Sequence, residues 1–379
     1  MRQVRLGDFL EVQAGFAFKT EYFTSGEGVP LIRIRDLDQS QTVINYSGEY
    51  KPDFVVNRGD YLIGMDGNFR CYRWQGESSL LNQRVCRLRN FREGIEPEYV
   101  FYGIQRKLQE IENNTSFVTV KHLSAKQVQN IEMPLPPLPE QRRIVDLLSR
   151  AEGIVRLRRE AEKKAAELIP ALFLDMFGDP GRNPKGWPLT SVGDVLDAID
   201  YGSSSKATSD GAGLPMIRMG NVTYEGNLNL ADLKYVNLPA TEAERYSLKV
   251  GDILFNRTNS KELVGKTGLW DVAREAIVAS YFIRLRVQHE VVSPHYLWAF
   301  MNTAHMKRVI FDTARGAIGQ SNINSKELKS FPLPVPPLPL QKQFALRCAD
   351  VSGLVAQHSA ATAKAQATFS ALLAQAFAN

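Results

Sequence analysis

The chain has 379 residues, too many for one compact core, and domains of about 100–200 residues make two the expectation. Its 44% hydrophobic and 23% charged residues match ordinary globular protein, which excludes a wholly disordered chain, a collagen-like chain and a disulfide scaffold. A net charge of +5, from 46 basic and 41 acidic residues, permits an anionic partner without requiring one.

The opening residues, Met1-Arg-Gln-Val-Arg-Leu-Gly-Asp8, are charged where a secretion signal would be apolar, so the cytoplasm is the expected location. The three cysteines, Cys71, Cys86 and Cys348, fit neither a disulfide framework nor a Cys-x-x-Cys metal site, as a reducing compartment would have it. Short apolar runs at Leu31-Ile-Arg-Ile34, Tyr61-Leu-Ile63 and Val85-Cys-Arg-Leu88 are bounded by Gly, Asn, Asp or Pro and predict strands. Tyr99–Glu112 carries helical periodicity. A proline run, Pro134-Leu-Pro-Pro-Leu-Pro-Glu-Gln141, then leads into a helix predicted from about 140 to 175, with Pro139 in its first turn, where proline is tolerated. The most apolar stretch of that helix, Ile169–Phe177, is short and interrupted by Asp175, so no membrane span is expected. Pro170 would cost about 3 kcal/mol in a helix interior, and a kink or short break is expected there.

From this point the order of landmarks begins again. Pro215-Met-Ile-Arg-Met-Gly220 answers Pro30-Leu-Ile-Arg-Ile-Arg35, and Gly251-Asp-Ile-Leu254 answers Gly59-Asp-Tyr-Leu62. Strands are predicted at Asp252–Phe255 and Phe282–Leu285, and one helix at Pro294–Phe311. Pro334-Val-Pro-Pro-Leu-Pro-Leu-Gln341 then repeats the proline run with six of eight positions identical. The offset drifts from 185 to 200 residues along the chain, as when surface loops of different length decorate a retained scaffold. The expected architecture is α+β: two mixed, mainly sheet-based domains, 1–138 and 179–338, each followed by a helical region, 139–178 and 339–379.

Past each proline run the apolar pattern becomes a heptad. Taking a positions at 144, 151, 158, 165 and 172 and d positions three residues later, eight of ten are apolar in the first copy and six of ten in the second. Two helices of about 54 Å that lie together while leaving the domains at opposite ends must run antiparallel. The expectation is therefore an antiparallel coiled coil relating the repeats by an approximate two-fold axis.

Catalytic motifs fail in specific ways. Adenine methylation needs an Asn/Asp-Pro-Pro-aromatic loop, and the nearest string, Asn183-Pro-Lys-Gly186, lacks the second proline and the aromatic residue. Gly265-Lys-Thr267 resembles the end of a phosphate loop, but Ser260 stands where its first glycine belongs, so it reads as a turn between strands. Glu162-Lys-Lys164 lies on a charged helix face, and the five histidines are scattered without metal spacing. No catalytic residue, metal or cofactor is expected.

The proline run opening a long helix, repeated about 200 residues later, resembles the specificity subunit of type I restriction-modification enzymes, with Gly186-Trp-Pro-Leu, Gly193-Asp-Val, Pro215-Met-Ile-Arg and Gly251-Asp-Ile-Leu as supporting landmarks. The resemblance covers the chain end to end. Leu340 in place of Glu140, and Met1 where the second copy has Trp187, depart from an exact repeat. The resemblance implies a non-catalytic subunit that binds double-stranded DNA and assembles with two adenine methyltransferase subunits and, in the complete enzyme, with restriction subunits. Each target recognition domain would read one half of a bipartite site, and the helices would set the spacer. The competing reading is a coiled-coil adaptor whose globular halves bind protein.

Side chains that contact DNA are sought among Arg, Lys, Asn and Gln on loops at strand ends, above all where the two copies differ. Arg33 and Arg218 recur in both copies and suit a scaffold ion pair, whereas Arg35 faces Gly220 in the repeat. The loop after Gly-Asp-x-Leu gives Asn68 and Arg70 in the first copy and Asn256, Arg257, Asn259 and Lys261 in the second. The segment ahead of the proline run gives Lys121 and His122, then Arg315, Gln320 and Asn322.

Overall fold

The structure, a computed structural model, describes residues 3–114, 122–317 and 319–378. Helix α1 (Pro97–Asn114) and the short α2 (Ala125–Gln129) precede α3 (Leu138–Ala166) and α4 (Leu168–Phe177). Four further helices, α5 (Ala240–Tyr246), α6 (Pro294–Met301), α7 (Ala304–Thr313) and α8 (Ser325–Lys329), precede α9 (Leu338–Ala376). The chain divides into two compact units, Met1–Arg159 with Ala360–Asn379, and Glu160–Ser359, each of mixed helix and sheet.

The centre of the first unit is an antiparallel sheet in the order Glu11–Ala14, Val85–Arg89, Tyr61–Gly64, Cys71–Arg73. Alternation along a strand sends Tyr61 and Ile63 into the core beneath α1, with Tyr99, Tyr102 and Leu108, while Leu62 enters a second core with Ile32, Val56 and Trp74. Both faces are covered, and for that reason these strands read as continuous apolar runs. A five-stranded sheet, ordered Phe23–Thr24, Asn45–Tyr46, Val29–Ile32, Ser79–Leu81, Val55–Val56, packs over the second face. Gln3–Arg5 pairs with Glu132–Pro134.

The second unit repeats this plan. Its central sheet runs Leu196–Tyr201, Phe282–Val287, Asp252–Asn256, Thr267–Trp270, and Leu189–Ser191 pairs with Pro332–Pro334. Ile253 and Phe255 face the helical core, and Leu254 faces a smaller one with Ile217, Trp270 and Phe282. A buried arginine occupies the same strand position in each unit. Arg87 donates to Gln13 Oε1 at 2.7 Å, to the Val55 carbonyl at 2.6 Å and to the Asp53 carbonyl at 2.8 Å. Arg284 donates to the Ser247 and Arg245 carbonyls at 2.8 and 3.1 Å and to Asp200 at 3.1 Å. A guanidinium is buried in a sheet at tolerable cost only where most of its donors find acceptors. Arg284 Nε makes no hydrogen bond among the described residues and lies 4.0 Å from Asp252.

The proline runs are fixed from both sides. Proline has no N–H, and the Pro134 and Pro334 carbonyls accept instead from Tyr99 Oη at 2.8 Å and Tyr296 Oη at 2.6 Å. Pro139 and Pro339 lie in the first turns of α3 and α9, where the missing donors cost nothing. The break expected near Pro170 occurs at Glu167, between α3 and α4. Pro170 cannot donate to the Ala166 carbonyl, whereas α9, with Ser370 at the matching place, runs unbroken.

Two helical expectations need correction. The single helix expected over Pro294–Phe311 is two, α6 and α7. Asn302 ends α6 by donating its amide to the Trp298 and Thr267 carbonyls, and the Thr303 hydroxyl caps α7 by accepting from the Met306 N–H. The heptad faces also differ by half. Ile144, Ala165 and Phe344 at a positions are buried, but Arg158 at another is exposed, and Leu147, Ile154 and Leu168 at the expected d positions are 43%, 53% and 41% exposed. The covered stripe steps by three and then four residues, through Gln141, Ile144, Leu148, Ala151 and Val155, and again through Gln341, Phe344, Cys348, Val351 and Val355. Leu147 with Leu148, and Ile154 with Val155, are adjacent apolar pairs, so hydrophobicity alone did not choose between them.

Candidate nucleic-acid interface

In the second unit the loop after Asp252–Asn256 and the segment before the proline run, distant in sequence, form one small antiparallel sheet: Thr258–Asn259, Gln320–Asn322, Arg315–Ala317. Thr258 and Arg315 lie opposite Asn322 on its two sides, and Asn259 opposite Ser321. A third segment joins through the backbone: the Ile323 N–H donates to the Arg257 carbonyl at 3.0 Å and the Arg257 N–H to the Tyr281 carbonyl at 2.9 Å.

The side chains gathered there are basic, amide and aromatic. Arg257 lies over the ring of Tyr201, 4.7 Å from its centre, and Lys261 over that of Phe311 at 4.5 Å. Burial pushes the Tyr201 phenol up, but the Ser325 hydroxyl and N–H and then the Arg257 guanidinium favour its ionised form, leaving it below the usual range. Arg315 is exposed and pairs with Glu327 at 3.2 Å, and Gln320, opposite Ala317 on the neighbouring strand, is exposed too. Asn256 departs from its expected part. It is fully buried, donating to the Tyr281 and Thr258 carbonyls and accepting from Asn259 at 2.8 Å, so it holds the loop and faces no ligand.

The first unit joins the matching segments more economically. Asp66 and His122 form an antiparallel bridge, the Leu123 N–H donates to the Met65 carbonyl at 2.7 Å, and the Met65 N–H to the Arg84 carbonyl at 2.9 Å. This is the backbone pattern of Ile323, Arg257 and Tyr281. The chemistry differs: the Asp66 carboxylate lies 2.7 Å from His122 Nδ1 and 3.4 Å from Arg84 Nη1. Asn68 and Arg70 are exposed, following a turn that Gly67 makes at φ +77. Between them Phe69 is buried, and its N–H donates to Glu112 at 2.9 Å. Arg35 is exposed on the turn Ile34–Asp36 and takes no part in the bridge. Lys121 lies outside the described residues.

Several other residues have structural work. Arg33 pairs with Asp36 at 3.7 Å and Arg218 with Asp232 at 3.5 Å. Lys266 of the Gly-Lys-Thr string is buried and donates to the Met219 carbonyl at 2.6 Å, and burial lowers its ammonium pKa. Asn183 clasps Trp187 through its amide, accepting the Trp187 N–H at 2.9 Å. Among the described residues no group of three or more His, Cys, Asp or Glu is placed to hold a metal, and no helix is long and apolar enough to cross a membrane. Arg84, Tyr201 and Tyr281 carry no local sequence signal. They reach these clusters through sheet order, which only pairing the two copies strand by strand could have suggested.

The model of the type I restriction modification DNA specificity domain matches the chain twice, at residues 1–167 and 184–352. The chain is 26% identical over 378 residues to the type I restriction enzyme EcoBI specificity subunit of Escherichia coli, covering 91% of this chain and 78% of that one. It is 23% identical over 387 residues to the MjaVIII specificity subunit of Methanocaldococcus jannaschii, covering 93% and 86%. Among solved structures, a chain from a study of assembly and conformational transition of the type I R-M system has a similar fold, with TM-score 0.59, 20% identity and coverage of 99% and 97%. The type I restriction-modification S subunit of M. genitalium does too, with TM-score 0.54, 12% identity and coverage of 100% and 96%.

Proposed function

The chain belongs to the type I restriction-modification DNA specificity family, whose domain it carries twice, and on that footing we propose that it is the DNA-reading subunit of a type I restriction-modification complex. The observation that carries this reading is the pair of matching crossings. In each unit the same backbone frame joins the loop after Gly-Asp-x-Leu to the segment before the proline run, and the frame carries different polar side chains in the two copies. A retained frame with exchanged side chains suits two readers of two unlike sequences. The residues offered for DNA contact are Arg35, Asn68, Arg70 and His122 in the first domain, with Lys121, and Arg257, Asn259, Lys261, Arg315, Gln320 and Asn322 in the second. The chain supplies recognition and no catalytic group.

The helical regions 139–178 and 339–379 form an antiparallel coiled coil between recognition domains 1–138 and 179–338. Two observations support this. The covered stripes of α3 and α9 share one three-four spacing. In each unit, moreover, the beginning of one helix shares a core with the end of the other: Ile144 and Leu148 with Leu372 and Phe377, and Phe344 with Phe173 and Phe177. A rod of about 54 Å spans about one and a half DNA turns and so sets the unread spacer. Leu147, Ile154 and Leu157 in the first unit, and Leu346 and Leu354 in the second, are exposed outside the covered stripes and offer each of two methyltransferase subunits an apolar patch, and restriction subunits join that assembly. The complex works in the cytoplasm, on double-stranded DNA.

The test is to co-express the chain with the methyltransferase encoded beside it in a host free of other adenine methylation and to sequence the methylated positions. A split motif, two short specific sequences around a fixed gap, is the expected outcome. Absence of any sequence preference, with a gel shift by the assembled complex also negative, would overturn the reading in favour of a protein-binding adaptor.

A further inference from the structure

The matching backbone frames place three side chains in equivalent positions in the two units. Arg84, Asp66 and His122 in the first correspond to Tyr281, Thr258 and Asn322 in the second, because the Met65 and Arg257 N–H groups make the same bond to the Arg84 and Tyr281 carbonyls, and Asp66 and Thr258 lie opposite His122 and Asn322. Around these positions the scaffold keeps its residues or its bonding. Arg87 matches Arg284, Gln141 matches Gln341, and the turn after each crossing closes with the same capping box, Ser124 with Gln127 and Asn324 with Glu327. The three crossing positions change completely: cation, carboxylate and imidazole in one unit, phenol, hydroxyl and amide in the other.

Asp66 is not a scaffold carboxylate of the ordinary kind. Its side chain keeps 22% of its surface, and both partners are accessible, Arg84 at 55% and His122 at 49%. Ion pairs this exposed contribute little to stability, so folding alone gives slight reason for the arrangement. A carboxylate and a guanidinium side by side, 3.4 Å apart, do have a complement in the DNA major groove. A C·G pair presents the cytosine N4 amino donor next to the guanine O6 acceptor, with N7 beyond it.

We propose that Asp66 and Arg84 form a base-pair reader in the first recognition domain, the Asp66 carboxylate accepting from cytosine N4 and the Arg84 guanidinium donating to guanine O6 and N7 of the same C·G pair. His122 Nδ1, at 2.7 Å, holds the carboxylate in place. The second domain, with Thr258 and Tyr281 in these places, reads a different pair at the equivalent position of its half-site. This rests on the DNA-reading function above and adds to it which side chains discriminate in the first half-site and for which base pair.

The experiment assembles the chain with its methyltransferase subunits as wild type, Asp66→Asn, Arg84→Ala and Arg84→Lys, and sequences the products of methylating a randomised DNA library. The expected result is that Asp66→Asn and Arg84→Ala lower the preference for C·G at one shared position of one half-site by roughly 10- to 100-fold, with the other half-site and the spacer unchanged. Arg84→Lys should also relax that position, since lysine lacks the planar fork, whereas a phosphate contact would tolerate it. Motifs unchanged at every position, or equal losses at all positions, overturn the inference while leaving the DNA-reading function standing. A wild-type complex with no sequence preference overturns that function and the inference with it.

Discussion

The Gln341 side-chain oxygen accepts the backbone N–H of Ser293 at 2.8 Å, bringing the first turn of α9 onto the residue before α6. The Gln341 amide also donates to the Pro336 and Val291 carbonyls, at 2.7 and 3.3 Å, and the residue is wholly buried. Gln141 repeats the clasp, accepting from the Glu96 N–H at 2.9 Å and donating to the Pro136 and Gly94 carbonyls at 2.8 and 3.0 Å. One glutamine per copy therefore ties proline run, long helix and globular core together, and this explains why the run is legible as a Pro-rich string ending in Gln.

Replacing Gln341 by Ala leaves a buried N–H and two carbonyls without that partner. An unsatisfied buried group costs about 1–3 kcal/mol, so Gln341→Ala should destabilise the second unit by about 3 kcal/mol. Gln141→Ala should do the same to the first. Urea unfolding followed by hydrogen exchange, which separates the two units, is the measurement, and each variant should lower protection chiefly in its own unit. Equal loss in both units would mean that the clasp is not local.

Proline position gives a second prediction. Ser370 lies in the unbroken part of α9 at the place where Pro170 interrupts the first helical region. Ser370→Pro should cost about 3 kcal/mol, because it removes a helix N–H and crowds the preceding turn. Pro170→Ala should instead raise helical ellipticity at 222 nm by closing the gap at Glu167. A Ser370→Pro chain as stable as wild type would contradict the continuous helix.

The strands of the central sheets, the proline runs and the break near Pro170 were legible because each rests on local chemistry: continuous apolar runs, a missing donor, a turn-forming glycine. The run Leu31–Ile34 was only half a strand, which ends at Ile32 before the turn Ile34–Asp36. The second half of the heptad stripe was not, since Leu147 and Leu148 are equally apolar and only the partner surface decides which is covered. The loops that hold the candidate DNA contacts were legible as the places where the repeats diverge. Arg84 and Tyr281 were not, because strand order places them beside those loops. Asn256 was misplaced for a related reason: its residue type suits base reading, but its position at the end of a buried strand commits its amide to the loop backbone.

Burial around Lys307 gives a pH prediction. Burial, opposed by the Glu225 carboxylate and aided to a smaller extent by Lys266, lowers its ammonium pKa from 10.5 to about 8, although it donates to the Tyr224 carbonyl at 2.8 Å. Between pH 8 and 10.5 the unfolded chain then carries a proton that the folded chain has released, so stability rises with pH across that window and the penalty of the charged form is fullest below 8. Lys266, also lowered by burial, acts in the same direction. Lys307→Met should flatten the rise in the urea midpoint between pH 7.5 and 9.5. A wild-type slope retained in the variant would assign the effect elsewhere.

Spacer length is the prediction that bears on the helices. The covered stripe advances by seven residues per two steps in both α3 and α9, so a seven-residue deletion preserves the stripe in each. Removing residues 155–161 and 355–361 together shortens the proposed rod by about 10 Å, roughly three base pairs of DNA. The two half-site sequences should stay the same and the gap between them should shrink, as read by sequencing methylated host DNA. Deleting only one of the two segments mismatches the pair and should abolish methylation. An unchanged gap in the doubly shortened protein would show that something other than helix length sets the distance between the readers.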